Sequence, residues 1–190
     1  MVQEIGQTAV ATSRQLDAAA RRLAKVLKQR QLRIVLAESC TGGLISAVLA
    51  KIPGISELHC GSAVTYRLET KQEWLGISAA VLRKQGPVSR LIAAEMAERI
   101  LERTPEADIA ASVTGHLGPG APQRQDGLIY VGIAQRANSN STIATKVQRH
   151  LLFGDQSVSL SQIDAERLRI SRQRTAAEFV LLQVARHLIK

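Results

Sequence analysis

Residues 37–43 read Ala-Glu-Ser-Cys-Thr-Gly-Gly and lie between the apolar run Leu32–Leu36 and the helical pattern of Leu44–Ile52. An apolar run, then small hydroxyl and glycine residues, then a helical pattern predicts a strand, a tight turn and a helix N-terminus. Such a turn directs backbone N–H groups and the partial positive charge of the helix dipole at whatever lies above it. It also carries Ser39 to the mouth of a sheet, where a nucleophile or a phosphate ligand is useful.

Helical and extended patterns alternate along the rest of the chain. This alternation predicts a single three-layer α/β/α domain over residues 14–190, preceded by a flexible tail over residues 1–13. The sheet is expected to be mixed, because the later strands can pair antiparallel. The predicted strands are 32–37, 58–66, 108–113, 128–134 and 142–152. The first predicted helices are 14–30, 42–52 and a segment that contains Lys71 and Trp74 and ends near Gly76. They are followed by a short helix capped by Ser78, a helix starting at 87–89 and a long one within 164–190.

Composition excludes several classes of protein. Of the 190 residues, 45% are apolar and 22% are charged, as in an ordinary soluble domain. No apolar run approaches the roughly 20 residues of a membrane span, so no membrane association is expected. Cys40 and Cys60 alone do not make a disulfide framework, which favours a reduced, cytoplasmic protein.

The net charge of +9 suggests nucleic-acid binding until the charges are located. Residues 1–33 hold seven basic and two acidic side chains, and residues 164–190 hold six and three. Residues 34–163 are almost neutral, with twelve and eleven. The excess is therefore typical of solvated faces on two flanking helices. Specific nucleic-acid binding is not expected, because few aromatic side chains are present to stack on bases.

Two side chains of the first turn are candidate nucleophiles. Ser39 is the better candidate and Cys40 is its rival, since adjacent side chains diverge in a turn and only one faces a site. The turn also has a purely structural interpretation, in which a serine or threonine caps the helix. Glu38 either bonds the turn amides or stays in solvent, and the pattern leaves both open.

A second segment, residues 66–71, carries a candidate base. Tyr66 ends a predicted strand and Lys71 follows about one helical turn later, so both can face the sheet edge from which the first turn projects. A serine hydroxyl needs a base at neutral pH, and a lysine serves when burial or a positive field lowers its pKa. The competing interpretation is a surface lysine beside a half-buried packing tyrosine.

A third segment, residues 112–120, repeats the logic of the first. An apolar strand ends in hydroxyl residues and passes into the glycine loop 114–127, which is long enough to fold over a ligand. His116 in this loop is either a solvated histidine, the interpretation favoured here, or a rival base. The four histidines form no convincing ligand cluster, so no metal site is predicted.

Seven motifs follow one another along the chain. They are Ala-Glu-Ser-Cys-Thr-Gly-Gly at 37–43, Pro-Gly-x-Ser at 53–56, Tyr-x-x-x-x-Lys at 66–71, Leu-Gly-Ile at 75–77, Val-Ser at 88–89, Ser-Val-Thr-Gly-x-x-Gly-Pro at 112–119 and Gly-Leu-Ile-Tyr-Val-Gly at 127–132. In this order they resemble the CinA C-terminal domain family, the PncC-type nicotinamide-nucleotide amidases, in its stand-alone form. The likeness covers roughly 23–134 well and the last helix more loosely.

The resemblance implies hydrolysis of the carboxamide of nicotinamide mononucleotide, which gives nicotinate mononucleotide and ammonia. It implies that Ser39 is the nucleophile, Lys71 its general base, and Tyr66 an aid to positioning or proton transfer. It also implies that no metal or cofactor is needed, that the partner is a small nucleotide, and that the protein is a homo-oligomer. The turn amides are expected to bind the phosphate or the oxyanion. The implied substrate-binding residues are Thr41, Gly42, Gly43, Ser56, Thr114, Gly115 and Gly118.

Two departures from the family pattern favour an alternative. Arg67 and Leu68 replace a Ser-Asn pair, and Gln156 stands where the family has the arginine of Gly-Asp-Arg. A shifted arginine is then needed, and the candidates are Arg167, Arg169 and Arg172. The alternative is a catalytically altered or inactive member that acts as a nucleotide-binding or regulatory protein. A nucleic-acid-associated protein working through the basic helices is a third, weaker hypothesis.

Overall fold

A computed structural model describes residues 11–122, 124–137, 143–152 and 165–189. These residues form five strands, six α-helices and one short 3-10 helix at Ile55–Glu57. The strands are β1 (Ile34–Glu38), β2 (His59–Val64), β3 (Ile109–Gly115), β4 (Leu128–Arg136) and β5 (Ile143–Leu151). The helices are α1 (Ser13–Arg30), α2 (Leu44–Leu49), α3 (Leu68–Leu75), α4 (Ala79–Gln85), α5 (Arg90–Glu102) and α6 (Ala165–Ile189).

The five strands form one mixed sheet in the order β2-β1-β3-β4-β5. Strand β1 runs parallel to β2 and β3, whereas β4 is antiparallel to both of its neighbours. Glu38 pairs with Val64 and Val113, so the carboxyl ends of three parallel strands meet at one edge of the sheet. The predicted mixed sheet is confirmed.

Helices cover both faces of the sheet, and the side chains of β1 divide between two cores. Ile34 and Leu36 pack with α1, α2 and α6. Val35 and Ala37 point the other way and pack with α3, α4 and α5. This alternation follows from the two-residue period of a strand. All five strand residues are buried because the strand is covered on both faces, which explains why its first four residues are apolar and only Glu38, at its end, is charged.

Helix α5 lies unusually close to the sheet. A Cβ atom on Gly132 would come within 2.3 Å of the backbone oxygen of Ala93 on α5. The hydroxyl of Ser112 donates to the same oxygen at 2.5 Å. The small residues of β3 and β4 therefore allow this close approach, and a larger side chain at Gly132 would push the helix away.

The structure extends some predicted elements and shortens others. Strand β3 continues through Thr114 and Gly115, two residues into the predicted glycine loop, because these residues pair with β4. Ala11 and Thr12, assigned to the tail, belong to the packed domain: the Ala11 amide donates to Thr175 on α6, and Thr12 caps α1. Residues 1–10 of the predicted tail lie outside the described residues.

Within the described ranges, no helix is long and apolar enough to cross a membrane.

Candidate active site

The carboxyl edge of the parallel strands brings three distant segments together. Ser39 follows β1, Thr65 and Tyr66 follow β2, and Thr114 lies near the end of β3. Open α/β sheets bind ligands in the crevice outside the carboxyl ends of their strands. The three segments selected from the sequence thus meet where this architecture normally holds a ligand.

Lys71 contacts the hydroxyl of Ser39. Its Nζ atom lies 3.0 Å from Ser39 Oγ and 2.5 Å from the backbone oxygen of Thr65. The lysine is fully buried on the first turns of α3, and Ser39 is 7% exposed. A nucleophile and a base within hydrogen-bonding distance are the arrangement that activates a serine.

Burial lowers the pKa of Lys71 from 10.5 to about 8. Among the described residues, no carboxylate lies within 4 Å of its amine to hold the charge. Desolvation therefore dominates, since it penalises the ammonium and leaves the neutral amine unaffected. At pH 7 about a tenth of the molecules then carry the neutral amine with its free lone pair, against about 0.03% for a lysine with a pKa of 10.5.

Cys40 is buried and is a poor nucleophile. Burial raises the pKa of its thiol to about 12, and the opposing field of Lys71 is the weaker influence. The thiolate is the reactive form of cysteine, so a thiol with this pKa is inert near neutral pH. The electrostatics of the turn therefore favour Ser39 over its neighbour.

Glu38 bonds the turn amides instead of staying in solvent, which resolves the choice left open by the pattern. Its carboxylate accepts bonds from the Thr41 hydroxyl at 2.7 Å and from the Gly43 amide at 3.0 Å. The other donors to this carboxylate are the amides of Ile45 and Ser46 and the hydroxyl of Ser62. A carboxylate at the first turn of α2 matches the positive end of the helix dipole.

This occupied helix N-terminus corrects the expected phosphate site. Thr41 and Gly43 serve Glu38, and neither they nor Gly42 line the cleft in front of Ser39. Gly42 and Gly43 have φ values of +63° and +93°, so the turn needs glycine at both positions. Cys40, unlike these three residues, lines the cleft beside Ser39.

A cleft of about 240 Å³ opens in front of Ser39. Its volume lies at the small end of ligand pockets, which hold about 300–1,000 Å³, and suits a small molecule. The cleft is lined by residues of the turn, of the start of α5, of the glycine loop and of α6: Ser39, Cys40, Tyr66, Pro87, Val88, Thr114, Gly115, His116, Leu117, Gly118, Pro119, Gly120, Ala121 and Arg169. None of them is acidic.

Two arginines of α6 hold the glycine loop in different ways. Arg172 is buried and forms a bidentate pair with Asp126, at 2.8 and 2.7 Å, and a bond to the backbone oxygen of Leu117 at 3.3 Å. Arg169 lines the cleft, where it donates to the backbone oxygen of Gly118 at 3.1 Å and to the hydroxyl of Tyr66. Of the three arginines proposed for the site, the exposed Arg167 lines no part of the cleft.

The remaining predicted residues divide between the cleft and the rest of the fold. Thr114 lines the cleft, and its hydroxyl donates to the Pro87 oxygen at 2.7 Å, which ties β3 to the start of α5. Ser56 is not part of this site: it is exposed in the 3-10 helix before β2, at the amino edge of the sheet. Its motif resembles the family, but the parallel direction of β2 puts it at the opposite end from Ser39. Gln156 lies outside the described residues.

His116 shares the cleft but is not the base next to Ser39. Its side chain is partly buried, and no hydrogen bond joins it to Ser39 in the described part of the chain. Its backbone instead pairs with Leu128 and Gly127, closing the glycine loop at 2.9 and 2.8 Å. The described residues contain no cluster of three histidine, cysteine or acidic side chains able to hold a metal ion.

Sequence reasoning did not identify two features of the site. The backbone oxygen of Thr65 anchors the Lys71 amine, and no side-chain pattern signals a backbone acceptor. The pairing of Arg172 with Asp126 spans 46 residues, so no local spacing reveals it. The sequence signal for this pair is the presence of glycine at 118 and 127. A Cβ atom on Gly118 would strike the side chains of Asp126 and Arg172, and one on Gly127 would strike the backbone oxygen of Leu152.

Comparison with known proteins identifies relatives for most of the chain. The family model for the CinA C-terminal domain matches residues 16–175. A protein of Halothermothrix orenii named as competence-damage inducible is 46% identical over 114 residues, which is 59% of this chain and 27% of that protein. A CinA-like protein of Chlorobaculum tepidum is 38% identical over 132 residues, covering 68% of this chain and 31% of the relative. The chain thus spans under a third of the length of these curated relatives.

Solved structures share the fold over nearly the whole chain. A competence/damage inducible protein from Agrobacterium tumefaciens superposes with a TM-score of 0.71 at 30% identity, covering 97% of this chain and all of that one. A CinA superfamily protein from Klebsiella pneumoniae gives a TM-score of 0.77 at 24% identity, covering 92% and 98% of the two chains. At 24% identity the second comparison concerns the fold alone.

Proposed function

The chain belongs to the CinA C-terminal domain family, and we propose that it is an amidohydrolase that converts nicotinamide mononucleotide to nicotinate mononucleotide and ammonia. The observation that carries the proposal is the 3.0 Å contact between Lys71 Nζ and Ser39 Oγ. A serine hydrolase needs a serine nucleophile and a base that can take its proton. A buried amine with a lowered pKa beside a serine hydroxyl, at the mouth of a small cleft, provides both.

In the first half of the reaction, the Ser39 hydroxyl attacks the carboxamide carbon. The neutral Lys71 amine takes the hydroxyl proton as the new C–O bond forms, and the carbonyl oxygen becomes an oxyanion. The Lys71 ammonium then returns its proton to the leaving nitrogen, the C–N bond breaks, and ammonia departs.

In the second half, water hydrolyses the ester left on Ser39. Lys71 is again neutral after giving up its proton, so it removes a proton from the attacking water. Collapse of the second tetrahedral intermediate breaks the ester bond, and Ser39 recovers its proton from Lys71. The products are nicotinate mononucleotide and the free enzyme, and every proton is accounted for by one amine.

Tyr66 has a positioning role in this scheme. Its ring is 53% exposed at the cleft, and its hydroxyl accepts a bond from Arg169 instead of meeting Ser39 or Lys71. A phenol engaged in this way orients a neighbouring cation. We therefore assign Tyr66 to substrate positioning and not to proton transfer.

The second candidate function is nucleotide binding without turnover. It is favoured by Leu68, an exposed aliphatic side chain on the first turn of α3 where the family has a polar residue, and by the occupied N-terminus of α2. Both features remove polar contacts that a hydrolytic site would use for its substrate. Under this hypothesis the cleft keeps its ligand but not its chemistry.

The deciding experiment is ammonia release from nicotinamide mononucleotide by the purified protein, beside a panel of related amides. We expect release that is lost in Ser39→Ala and Lys71→Met. The exposed Lys84→Met serves as a matched control for loss of a lysine charge. Binding of the mononucleotide without release of ammonia in the wild type would instead establish the second candidate.

A further inference from the structure

The charges around the cleft are unbalanced in favour of cations. Among the described residues that line the cleft there is no carboxylate, whereas Arg169 lines it. Behind the cleft, Lys71 contacts Ser39, and the Glu38 carboxylate is turned to the amides of α2. A cleft lined by one sign of charge concentrates ligands of the opposite sign. The geometry of the cleft therefore selects an anionic ligand before any specific contact is considered.

Arg169 and Arg172 lie one helical turn apart on α6, but only one of them is neutralised. Arg172 is matched by both oxygens of the Asp126 carboxylate. Arg169 bonds two neutral oxygens, those of Gly118 and Tyr66, and no carboxylate lies within 4 Å of it among the described residues. A guanidinium has five N–H donors, so this one keeps several for a ligand.

The two contacts of Arg169 also hold its side chain in one orientation. Gly118 belongs to the glycine loop and Tyr66 to the segment after β2, so the guanidinium is anchored from both walls of the cleft. A preorganised arginine gives up little side-chain freedom when it binds a planar or tetrahedral anion. Its charge is thus directed into the cleft that holds Ser39.

We propose that Arg169 is the residue that recognises the phosphate of the substrate, and that it makes this site selective for phosphorylated amides over their nucleosides. The proposal rests on the proposed function for the identity of the reacting amide, but not for the identity of the anion. The phosphate takes the free N–H groups of Arg169 at one end of the cleft, and the carboxamide meets Ser39 at the other.

The test is equilibrium binding of two ligands that need no turnover, nicotinate mononucleotide and its nucleoside, measured by calorimetry. We expect the wild type to bind the mononucleotide about 10- to 100-fold more tightly, the range of one charge-assisted contact. Arg169→Gln should reduce that ratio to about 1–3, with little effect on the nucleoside. Arg169→Lys should keep part of the preference, because it retains the charge but loses the forked geometry.

Arg167→Gln is the matched control, since it removes an exposed arginine two residues away on the same helix. It should leave the ratio unchanged, which separates direct contact from general electrostatic attraction. A ratio that survives Arg169→Gln would overturn the proposal. Equal weakening of both ligands would also overturn it, because the arginine would then act by holding the Gly118 loop.

Inorganic phosphate provides a probe that is independent of the amidase hypothesis. Thermal stabilisation of the wild type and Arg167→Gln by phosphate, absent in Arg169→Gln, supports an anion site even if no pyridine ligand binds and the proposed function fails. Stabilisation that is absent from all three proteins, or equal in all three, contradicts it. Unfolding temperatures without ligand show whether each variant is folded before the comparison is made.

Discussion

The amine of Lys71 and the hydroxyl of Ser39 are 3.0 Å apart, although 32 residues separate them in the chain. The contact crosses from the end of β1 to helix α3, which follows the neighbouring strand β2. Because β1 and β2 are parallel and adjacent, their carboxyl ends must meet, and the first turns of α3 then bring the lysine over the turn that carries Ser39. The catalytic hypothesis follows from this single pairing of strands.

Replacement of the two neighbouring candidate nucleophiles should have opposite results. Ser39→Ala removes the attacking oxygen and should lower kcat for ammonia release by at least about a thousandfold, as loss of a nucleophile typically does. Cys40→Ala should keep most of the turnover, because the thiol is buried and its pKa is raised to about 12. Steady-state kinetics of both variants check this. Inactivity of Cys40→Ala together with an active Ser39→Ala would reverse the assignment.

The pH dependence of turnover should report the lowered pKa of Lys71. The base works as a neutral amine, so the rate should rise with pH, pass its midpoint near the pKa of about 8 and then level off. Lys71→Met should fold but lose the chemical step, whereas His116→Ala should keep both the rate and this limb. Retained turnover in Lys71→Met, with loss of the limb in His116→Ala, would assign the base to the glycine loop.

The same buried lysine should make the free energy of unfolding depend on pH. The pKa of Lys71 is about 8 in the folded protein, against the ordinary value of 10.5 that applies in the unfolded chain. Between these two pH values the unfolded chain therefore holds a proton that the folded protein has lost. The free energy of unfolding therefore rises with pH across this window, by about 3 kcal/mol in total. Below pH 8 the folded protein bears the whole cost of burying the charged or deprotonated lysine. Lys71→Met should lack this rise.

Urea unfolding at pH 7 and pH 10 measures the effect as a difference between proteins. The gap in unfolding free energy between wild type and Lys71→Met should move in favour of the wild type as the pH increases. Other titrating groups are common to both proteins and cancel. Lys84→Met, which removes an exposed lysine, should show a gap that does not change with pH. A constant gap for Lys71→Met would mean that the folded protein does not lower the pKa of this amine.

Glu38 should be important for stability because it holds the turn that presents Ser39. Glu38→Gln keeps the shape but replaces one acceptor oxygen by a donor, facing the amides of Gly43, Ile45 and Ser46. We expect a loss of about 2–4 kcal/mol in unfolding free energy, since bonds to a buried carboxylate are strong and their loss leaves donors unpaired. Chemical denaturation measures it, with the exposed Glu57→Gln as the control. Equal stability of both variants would show that the Glu38 carboxylate does not stabilise the turn.

Amide hydrolysis by this protein should not depend on added metal. A serine and a lysine supply both the nucleophile and the base, so exhaustive chelation should leave ammonia release unchanged. The measurement compares rates before and after chelation and dialysis, with zinc or magnesium restored in parallel. Activity that disappears and returns with either ion would replace the serine–lysine mechanism with a metal-assisted one.

Much of the fold was predictable because its signals are local. The run Leu32–Leu36 is apolar except at Arg33, and its last three residues lie in β1, where burial on both faces requires apolar side chains. The glycines at 42 and 43 mark a turn that only glycine accepts without strain. The helix predicted to start at 87–89 does so, with Ser89 as the cap of α5. Ser78, which was predicted to cap the preceding short helix, stands at its N-cap position without a side-chain capping bond. Boundaries were less predictable: β3 runs through Thr114 and Gly115 because a partner strand continues beside them.

Periodicity and turn residues predicted the mixed three-layer fold, because both record local backbone preferences. The motifs supplied the resemblance to the family, and the resemblance in turn implied the catalytic pair. How these residues are used depends on the tertiary structure. It separates Ser56 from the site and gives the α2 amides to Glu38. Within the described ranges it also pairs Arg172 with a carboxylate and Arg169 with none. Burial, charge pairing and the competition for each donor depend on residues far apart in the chain. No local pattern encodes them, because they come into existence only when the strands pair and the helices pack.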